Sequence, residues 1–303
     1  MSSLPPSITV LVRDWLSANN VLLRGRDGNV IIDTGYVRDA PRTLALVAEA
    51  LAGEPLVLIV NTHGHSDHIG GNAALAARYA CPIAVPAGEA ALLENWDTRR
   101  LWLDYADQRC DRFAVSSTLA PGSRHVWGEL EWQALFAPGH DMGALVFYNS
   151  EQRILLSGDA LWEHGFGLVM PPEIDPACMP ATRATLDAIA ALDIRCVIPG
   201  HGQPFTDAGA ALERAYSRLA ALQADSRRAA RSVVKALLAF ALLDRRRMAL
   251  ATLPDYVERI GFFRDFNALF FRQRPADFAT MLVEDLERAG AVRREGEWLL
   301  AIS

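Results

Sequence analysis

Several things are scarce in this chain, and each scarcity excludes something. Of its 30 basic residues only one, Lys235, is a lysine. Its positive charge is therefore almost wholly guanidinium, a group suited to phosphates and carboxylates, though genome composition produces the same bias. The 4 cysteines, Cys81, Cys110, Cys178 and Cys196, include no C-x-x-C pair. This argues against a disulfide framework or a cysteine-rich zinc knuckle, and free, mostly buried thiols are expected. No apolar run reaches the length needed to span a bilayer. The opening MSSLPPSITVLVRDW has no basic stretch followed by an apolar run and a small-residue cleavage site, so no secretory signal is read and a cytoplasmic location is expected. No serine sits in a G-x-S-x-G elbow, which argues against a serine hydrolase. Internal repeats and low-complexity tracts are missing as well.

What is present is a large hydrophobic complement. The 303 residues are 51% hydrophobic, enough for one large domain or a main domain with an appendage. The net charge of −6 is unevenly spread. From Glu213 onward, 16 basic residues face 12 acidic ones, whereas the preceding residues hold 14 against 24. This pattern predicts a basic appendage on an acidic body.

Periodicity predicts strands at 8–12, 20–24 and 29–33, with a turn at Gly25–Gly28. A helix is expected over 41–52, opened by Pro41. PLVLIVNT then reads as a buried strand, followed by a helix at 72–80, the strand PIAVPA and a helix over 88–106. Residues 107–123 look irregular and are expected to form a lid or loop. Short strands return in ELEWQALFAP, ALVFYN and RILLSGDA, then a helix at 180–192 and the strand RCVIPGH. Two halves of alternating strands and helices predict a layered α/β protein with function on the loops at strand ends. Beyond residue 208 helices dominate: 208–224, 226–243 and ADFATMLVEDLERAG, the last capped by Gly290, then a hairpin around Glu295-Gly296.

The strongest chemical signal is THGHSDHIGG, residues 62–71. Three histidines and an aspartate within six positions suit a core poorly, because each needs a polar partner. Imidazole nitrogen and carboxylate oxygen are ligands that zinc and iron accept. Alternation sends His63 and His65 the same way, while Asp67 and His68 lie beyond a bend and can reach a second ion. Gly70 and Gly71 permit tight backbone geometry before the next helix. Three further candidates share one context, a glycine at the end of an apolar run: His140 in APGHDMG, Asp159 in LLSGDAL and His201 in VIPGHGQP. One Gly-His pair is ordinarily a turn; three such sites downstream of a four-ligand cluster point to a common centre.

On these residues, over about 8–208, the sequence resembles the metallo-β-lactamase-fold hydrolases. The resemblance implies an α/β four-layer αβ/βα sandwich with the site at one edge between the sheets. It implies a dinuclear centre in which His63, His65 and His140 hold metal 1, Asp67, His68 and His201 hold metal 2, and Asp159 bridges them. Asp67 would also orient the nucleophile, a hydroxide shared by the ions. Asp33, in VIIDTG, would orient a metal-binding imidazole. The implied cofactors are two divalent ions, zinc foremost, with iron or manganese as alternatives. A bridging aspartate resembles the glyoxalase II-like, lactonase-like and nuclease-like members, and not the antibiotic-degrading lactamases. His125 and His164 match no ligand position. Trp162 and Phe166 follow Asp159 closely and are read either as pocket walls or as core.

Two units are therefore expected: a catalytic domain at 1–208 and a helical extension at 209–303 that resembles the winged-helix-type tail of some family members. The favoured activity is hydrolysis of a small thioester, ester or lactone, with a small-molecule substrate and no membrane partner. The alternatives are a nuclease on RNA or DNA, contacted by Arg227, Arg228, Arg231 and Arg245–Arg247, and an iron-dependent persulfide-dioxygenase-like enzyme. The aromatic run GFFRDFNALFFRQRP is read as core packing or a homodimer seam.

Overall fold

The computed structural model describes residues 4–302. Its N-terminal half is a six-stranded sheet in simple sequence order, β1 (Ile8–Leu11), β2 (Asn20–Leu23), β3 (Asn29–Ile32), β4 (Leu56–Val60), β5 (Ile83–Pro86) and β6 (Ser117–Leu119). The first three strands pair antiparallel; from β3 to β6 pairing is parallel. Parallel pairing requires crossovers. Helices α1 (Ala40–Leu51) and α3 (Asn72–Tyr79) supply two of them, with the short α2 (Ser66–Ile69) ahead of α3.

The second half is a five-stranded sheet ordered β11-β10-β9-β8-β7: β7 (Arg124–Trp127), β8 (Leu130–Phe136), β9 (Leu145–Asn149), β10 (Ile154–Gly158) and β11 (Cys196–Pro199). It is antiparallel except for β10 with β11, which are joined across α6 (Cys178–Ala190).

Strand periodicity explains the layering. Val30 and Ile32 of β3 enter one apolar cluster with Phe147, Leu156 and Ile198 of the other sheet, so this cluster lies between the sheets. Ile31, one residue out of phase, enters a second cluster with Val47 and Leu51 of α1. Likewise Leu155 and Val197 turn away from the inner layer, toward Leu186 of α6. Alternate residues thus face opposite layers, giving helix, sheet, sheet, helix: the four-layer sandwich.

The segment expected as one helix over 88–106 is instead broken. Helix α4 covers only Ala87–Asn95, Trp96 and Trp102 both take left-handed conformations (φ 52° and 62°), and a single turn, α5, follows at Leu103–Ala106. Trp102 is held by ring contacts rather than helix propensity: it stacks on His65, centroids 5.1 Å apart, and leans on Phe262 at 5.7 Å. Tertiary packing has overridden a local preference.

The C-terminal part begins with α7 (Ala208–Gln223) and α8 (Ser226–Arg245), N-capped by the Asp207 and Asp225 side chains. Then come β12 (Arg247–Ala249), α9 (Leu253–Arg259), α10 (Gly261–Phe266), α11 (Pro275–Arg288) and a hairpin of β13 (Val292–Glu295) and β14 (Trp298–Ala301). β14 lies between β12 and β13; β12 is too short and too charged for periodicity to reveal. Gly290, with φ 68°, takes the left-handed position after α11. Phe262, Phe263, Phe266 and Phe271 of the aromatic run are buried within the chain. They belong to the same apolar cluster as Leu155 and Val197 of the second sheet. The C-terminal helices therefore share a core with the sandwich.

A candidate metal centre between the sheets

The seven residues singled out in the sequence come together at one edge of the sandwich. His63, His65 and His140 form one group of potential ligand atoms, His63, His68 and Asp159 another, and Asp67, His68 and His201 a third, each within 4.8 Å. They arrive in two ways. His63 and His65 stand on the loop after β4, and Asp67 and His68 in α2, which closes its backbone onto His65 (His68 N to His65 O, 2.9 Å). His140, Asp159 and His201 each occupy a separate loop, following β8, β10 and β11. Backbone bonds join the two halves here, Leu145 donating to Thr62 at 2.9 Å and Asn19 to Gly200 at 2.7 Å, while Ala18 ties down Asp67 within the first half at 3.0 Å.

Outer hydrogen bonds orient the imidazoles. Asp33 takes the left-handed conformation, φ 57°, and is buried. It accepts from Thr62 N (2.9 Å) and Thr62 Oγ1 (2.8 Å), and its Oδ2 lies 2.7 Å from His68 Nδ1. Because the Thr62 hydroxyl proton points to Asp33, Thr62 Oγ1 accepts from His63 Nδ1 at 3.0 Å. His140 Nδ1 donates to Leu168 O at 2.6 Å. These bonds fix the tautomers: three Nδ1 atoms carry protons, and the three Nε2 lone pairs turn inward. His65 presents Nδ1 instead, 3.1 Å from His63 Nε2 and 2.8 Å from His140 Nε2.

The donor set fits divalent cations. Lone pairs converge at distances where they repel one another unless a cation or proton lies between them. His68 Nε2 is wholly buried and has no aligned hydrogen-bond partner, although Asp159 Oδ1 stands 3.3 Å away. Asp159 Oδ2 is 3.3 Å from His140 Nε2, so its two oxygens face the two ligand groups. Charges on the buried Asp33 and Asp159 and on the half-buried Asp67 need compensation. Among the protein groups alone, burial would lower His68, but Asp33, Asp159 and Asp67 outweigh it and raise its pKa well above the usual histidine value. Burial and the neighbouring histidines push His63 the other way. Burial and then His140 lower His65 to about 4. Burial raises Asp159, yet His68 and His201 prevail and hold it well below the carboxylate range. A divalent ion would supply the same compensation without the proton.

Close packing leaves no latitude around these ligands. A Cβ on Gly200 would collide with Asp159 Oδ1 and lie 3.0 Å from His68 Cε1. One on Gly167 would strike the His140 ring, 2.6 Å from Cγ.

The site opens into a cavity of about 690 Å³. Trp15 and Trp162 flank His201: Trp15 stacks on it, 5.5 Å and 7° from parallel, and Trp162 meets it edge-on at 5.3 Å. Trp162 Nε1 donates to Asp159 Oδ1 at 3.2 Å. The opposite wall comes from α8, with Ala236, Ala239 and Phe240, together with Ile302. Of the two residues read as wall or core, Trp162 lines the cavity, and Phe166 both lines it and belongs to the core. His125 is taken up by Ser123 Oγ (2.8 Å) and by stacking on Trp127; His164 is exposed near Glu163. Sequence reading missed Trp15, Trp102, Arg218 and Lys235 as cavity residues, since none belongs to a pattern.

The family profile of the metallo-beta-lactamase superfamily matches residues 13–201. The chain belongs to the metallo-β-lactamase superfamily. All seven converging residues fall within that match or at its last position. Among curated members, hydroxyacylglutathione hydrolase from Rhodospirillum rubrum is 30% identical over 122 residues, 40% of each chain. The match to that relative thus spans well under two thirds of its length. Acyl-coenzyme A thioesterase MBLAC2 from Gallus gallus is 29% identical over 208 residues, 62% of this chain and 73% of the relative. In three dimensions, the metallo-beta-lactamase family protein TTHA1429 from Thermus thermophilus superposes with a TM-score of 0.59 at 22% identity, covering 99% of this chain and 100% of that one. At that identity the superposition speaks for the fold alone, C-terminal part included. Among the described residues, no helix is long and apolar enough to cross a membrane.

Proposed function

We propose that this superfamily member is a dinuclear metallohydrolase that cleaves small thioesters. One observation carries the reading: a closed set of seven nitrogen and carboxylate donors opens directly into a mostly apolar cavity. In this proposal His63, His65 and His140 would hold one ion and Asp67, His68 and His201 the other, with Asp159 available to both. Zinc suits this donor set best, with iron or manganese as alternatives.

Bound there, the ions would supply an activated water and Lewis acidity toward the electrophilic oxygen. The chain's own residues do the rest. Asp67, on the cavity wall and 3.2 Å from His201 Nε2, orients the attacking water and accepts its proton. Asp33 keeps His68 aimed, and through Thr62 also His63. Trp15, Trp102 and Trp162 exclude bulk water, which strengthens each electrostatic contact inside. In the overall reaction a C–O bond replaces the C–S bond, the sulfur leaving as a thiol with a proton from water. A thiolate is a stable leaving group, so no separate acid is required.

The names of the two curated relatives favour thioesters over lactones and simple esters. Two of the arginines that would serve a nuclease are engaged elsewhere, Arg231 with Asp285 and Arg245 with Asp107. We also propose that residues 209–303 form a winged-helix-like extension, in line with the β12-β14-β13 order, whose role here is to wall the cavity. The exposed positions of α11 include Asp277 and Glu284, and its one exposed cation, Arg288, is paired with Asp285, which disfavours a nucleic-acid groove.

Metal quantification followed by a panel of thioesters, lactones, phosphodiesters and cephalosporins tests the reading. Two equivalents of metal and fastest turnover of a thioester are expected. Full activity in metal-free protein, or in Asp67→Ala and His65→Ala, would sink it.

A further inference from the structure

Beside the metal-centre cavity lies a second, more open groove of about 730 Å³, formed by α7, α8 and Asp285 of α11. Arg218, Ser232 and Lys235 line both, so the two adjoin. The groove presents five cations, Arg214, Arg218, Arg228, Arg231 and Lys235, against the carboxylates of Glu213 and Asp285. This concentration stands out on a chain with net charge −6.

Some of these cations are spoken for. Asp285 holds Arg231 through two hydrogen bonds, and Arg214 Nε donates to Glu163 O at 2.7 Å. Arg218 donates to Phe166 O and lies 4.6 Å above the Phe166 ring, fixed where the apolar cavity gives way to the basic groove. Two are less committed: among the described residues the side chains of Arg228 and Lys235 make no hydrogen bond or close ion pair, although Lys235 is within electrostatic reach of Asp285.

An apolar chamber at a hydrolytic centre that passes into a cationic groove is complementary to a substrate built the same way. We propose that the groove binds the phosphorylated end of a coenzyme A-type thiol carrier, while the acyl thioester lies in the chamber against the metal centre. The inference rests on the thioester reading and adds to it the carrier and its site. Guanidinium and ammonium groups around a phosphate form charge-assisted hydrogen bonds, and several together select a polyanion over the two carboxylates of a glutathione thioester.

The test has a binding arm and a kinetic arm, both on metal-loaded protein. In equilibrium dialysis at low ionic strength, adenosine 3′,5′-bisphosphate is expected to bind, and to weaken with added salt. Binding should fall about tenfold in Arg228→Ala and in Lys235→Ala. It should persist in Asp67→Ala, which separates the groove from phosphate coordinated by the ions. In the kinetic arm, kcat/KM for butyryl-coenzyme A should exceed that for butyryl-pantetheine and for S-lactoylglutathione, and Arg228→Ala should shrink the first ratio about tenfold.

The proposal is overturned by no bisphosphate binding, by binding lost in Asp67→Ala but intact in Arg228→Ala, or by equal kcat/KM on the coenzyme A and pantetheine esters. Displacement of the bisphosphate by a single-stranded oligonucleotide at equal phosphate concentration would reassign the groove to nucleic acid and likewise overturn it. Groove-dependent bisphosphate binding with no thioester turned over would uphold the phosphate site and remove the thioester reading.

Discussion

The two halves of the sandwich deliver their ligands to one place by opposite means. The first half supplies His63, His65, Asp67 and His68 from a single loop and helical turn, and one carboxylate braces its two fully buried imidazoles: Asp33 grips Thr62 and His68 directly and His63 through Thr62. The second half supplies His140, Asp159 and His201 from three loops, each with its own support. Leu168 O holds His140, Trp162 holds Asp159, and Trp15 and Trp162 enclose His201. A compact ligand set with one brace gives way all at once; a dispersed set gives way piece by piece.

This contrast sets a ranking of mutational effects. The largest belongs to the residue facing both ligand groups. Asp159→Ala should lower kcat/KM by about 10³-fold or more and reduce bound metal below two equivalents, measured by kinetics and elemental analysis. Next comes the shared brace. Asp33→Ala leaves the Thr62 N–H, the Thr62 hydroxyl and His68 Nδ1 without their acceptor. Metal affinity should drop roughly 10–100-fold, and both ions should be affected. Trp162→Phe removes one hydrogen bond while keeping a ring beside His201, so a loss of only about tenfold or less is expected. If competition with a chelator showed Trp162→Phe as damaging as Asp33→Ala, the contrast between shared and separate bracing would be wrong.

The same comparison explains what the sequence could and could not disclose. The compact set is legible because its spacing is itself the motif, and the dispersed set because each ligand follows a glycine at a strand end. Asp33 sits where β3 stops, a place that by itself reads as a turn, and its role is legible only through the family resemblance. The layering follows from period-two alternation, as with Val30, Ile31 and Ile32 in β3. By contrast, the tryptophans around the site are placed by tertiary contacts that no local pattern records. Trp102 has a helical neighbourhood in sequence yet a left-handed backbone in the fold. The C-terminal wall is hidden likewise: α8 reads as an ordinary amphipathic helix, and nothing in its periodicity says that Ala236 and Ala239 face a cavity rather than a neighbour.

The smallest expected effect concerns a residue that bridges the halves. Glu89 is buried beside Asp141, and its side chain fills the space over Gly64 and Gly143, one from each ligand-bearing half. Burial first, then Asp141, pushes its carboxyl up to about 8. The raised value means that the folded protein holds a proton which the unfolded chain gives up at lower pH. Stability is therefore lost as pH rises from the ordinary carboxyl range toward 8. Glu89→Gln carries no such proton. Its melting temperature relative to the parent should rise between pH 5 and pH 8, and a difference that is flat with pH would place the Glu89 proton elsewhere.

Lys235, where chamber and groove meet, has a practical meaning. Since no other side chain carries a primary amine, an amine-directed reagent has one side-chain target, and that target lies at the mouth of the reaction chamber. A fluorophore or crosslinker coupled there, once separated from label on the α-amino group, would report occupancy from inside the pocket without any engineered cysteine.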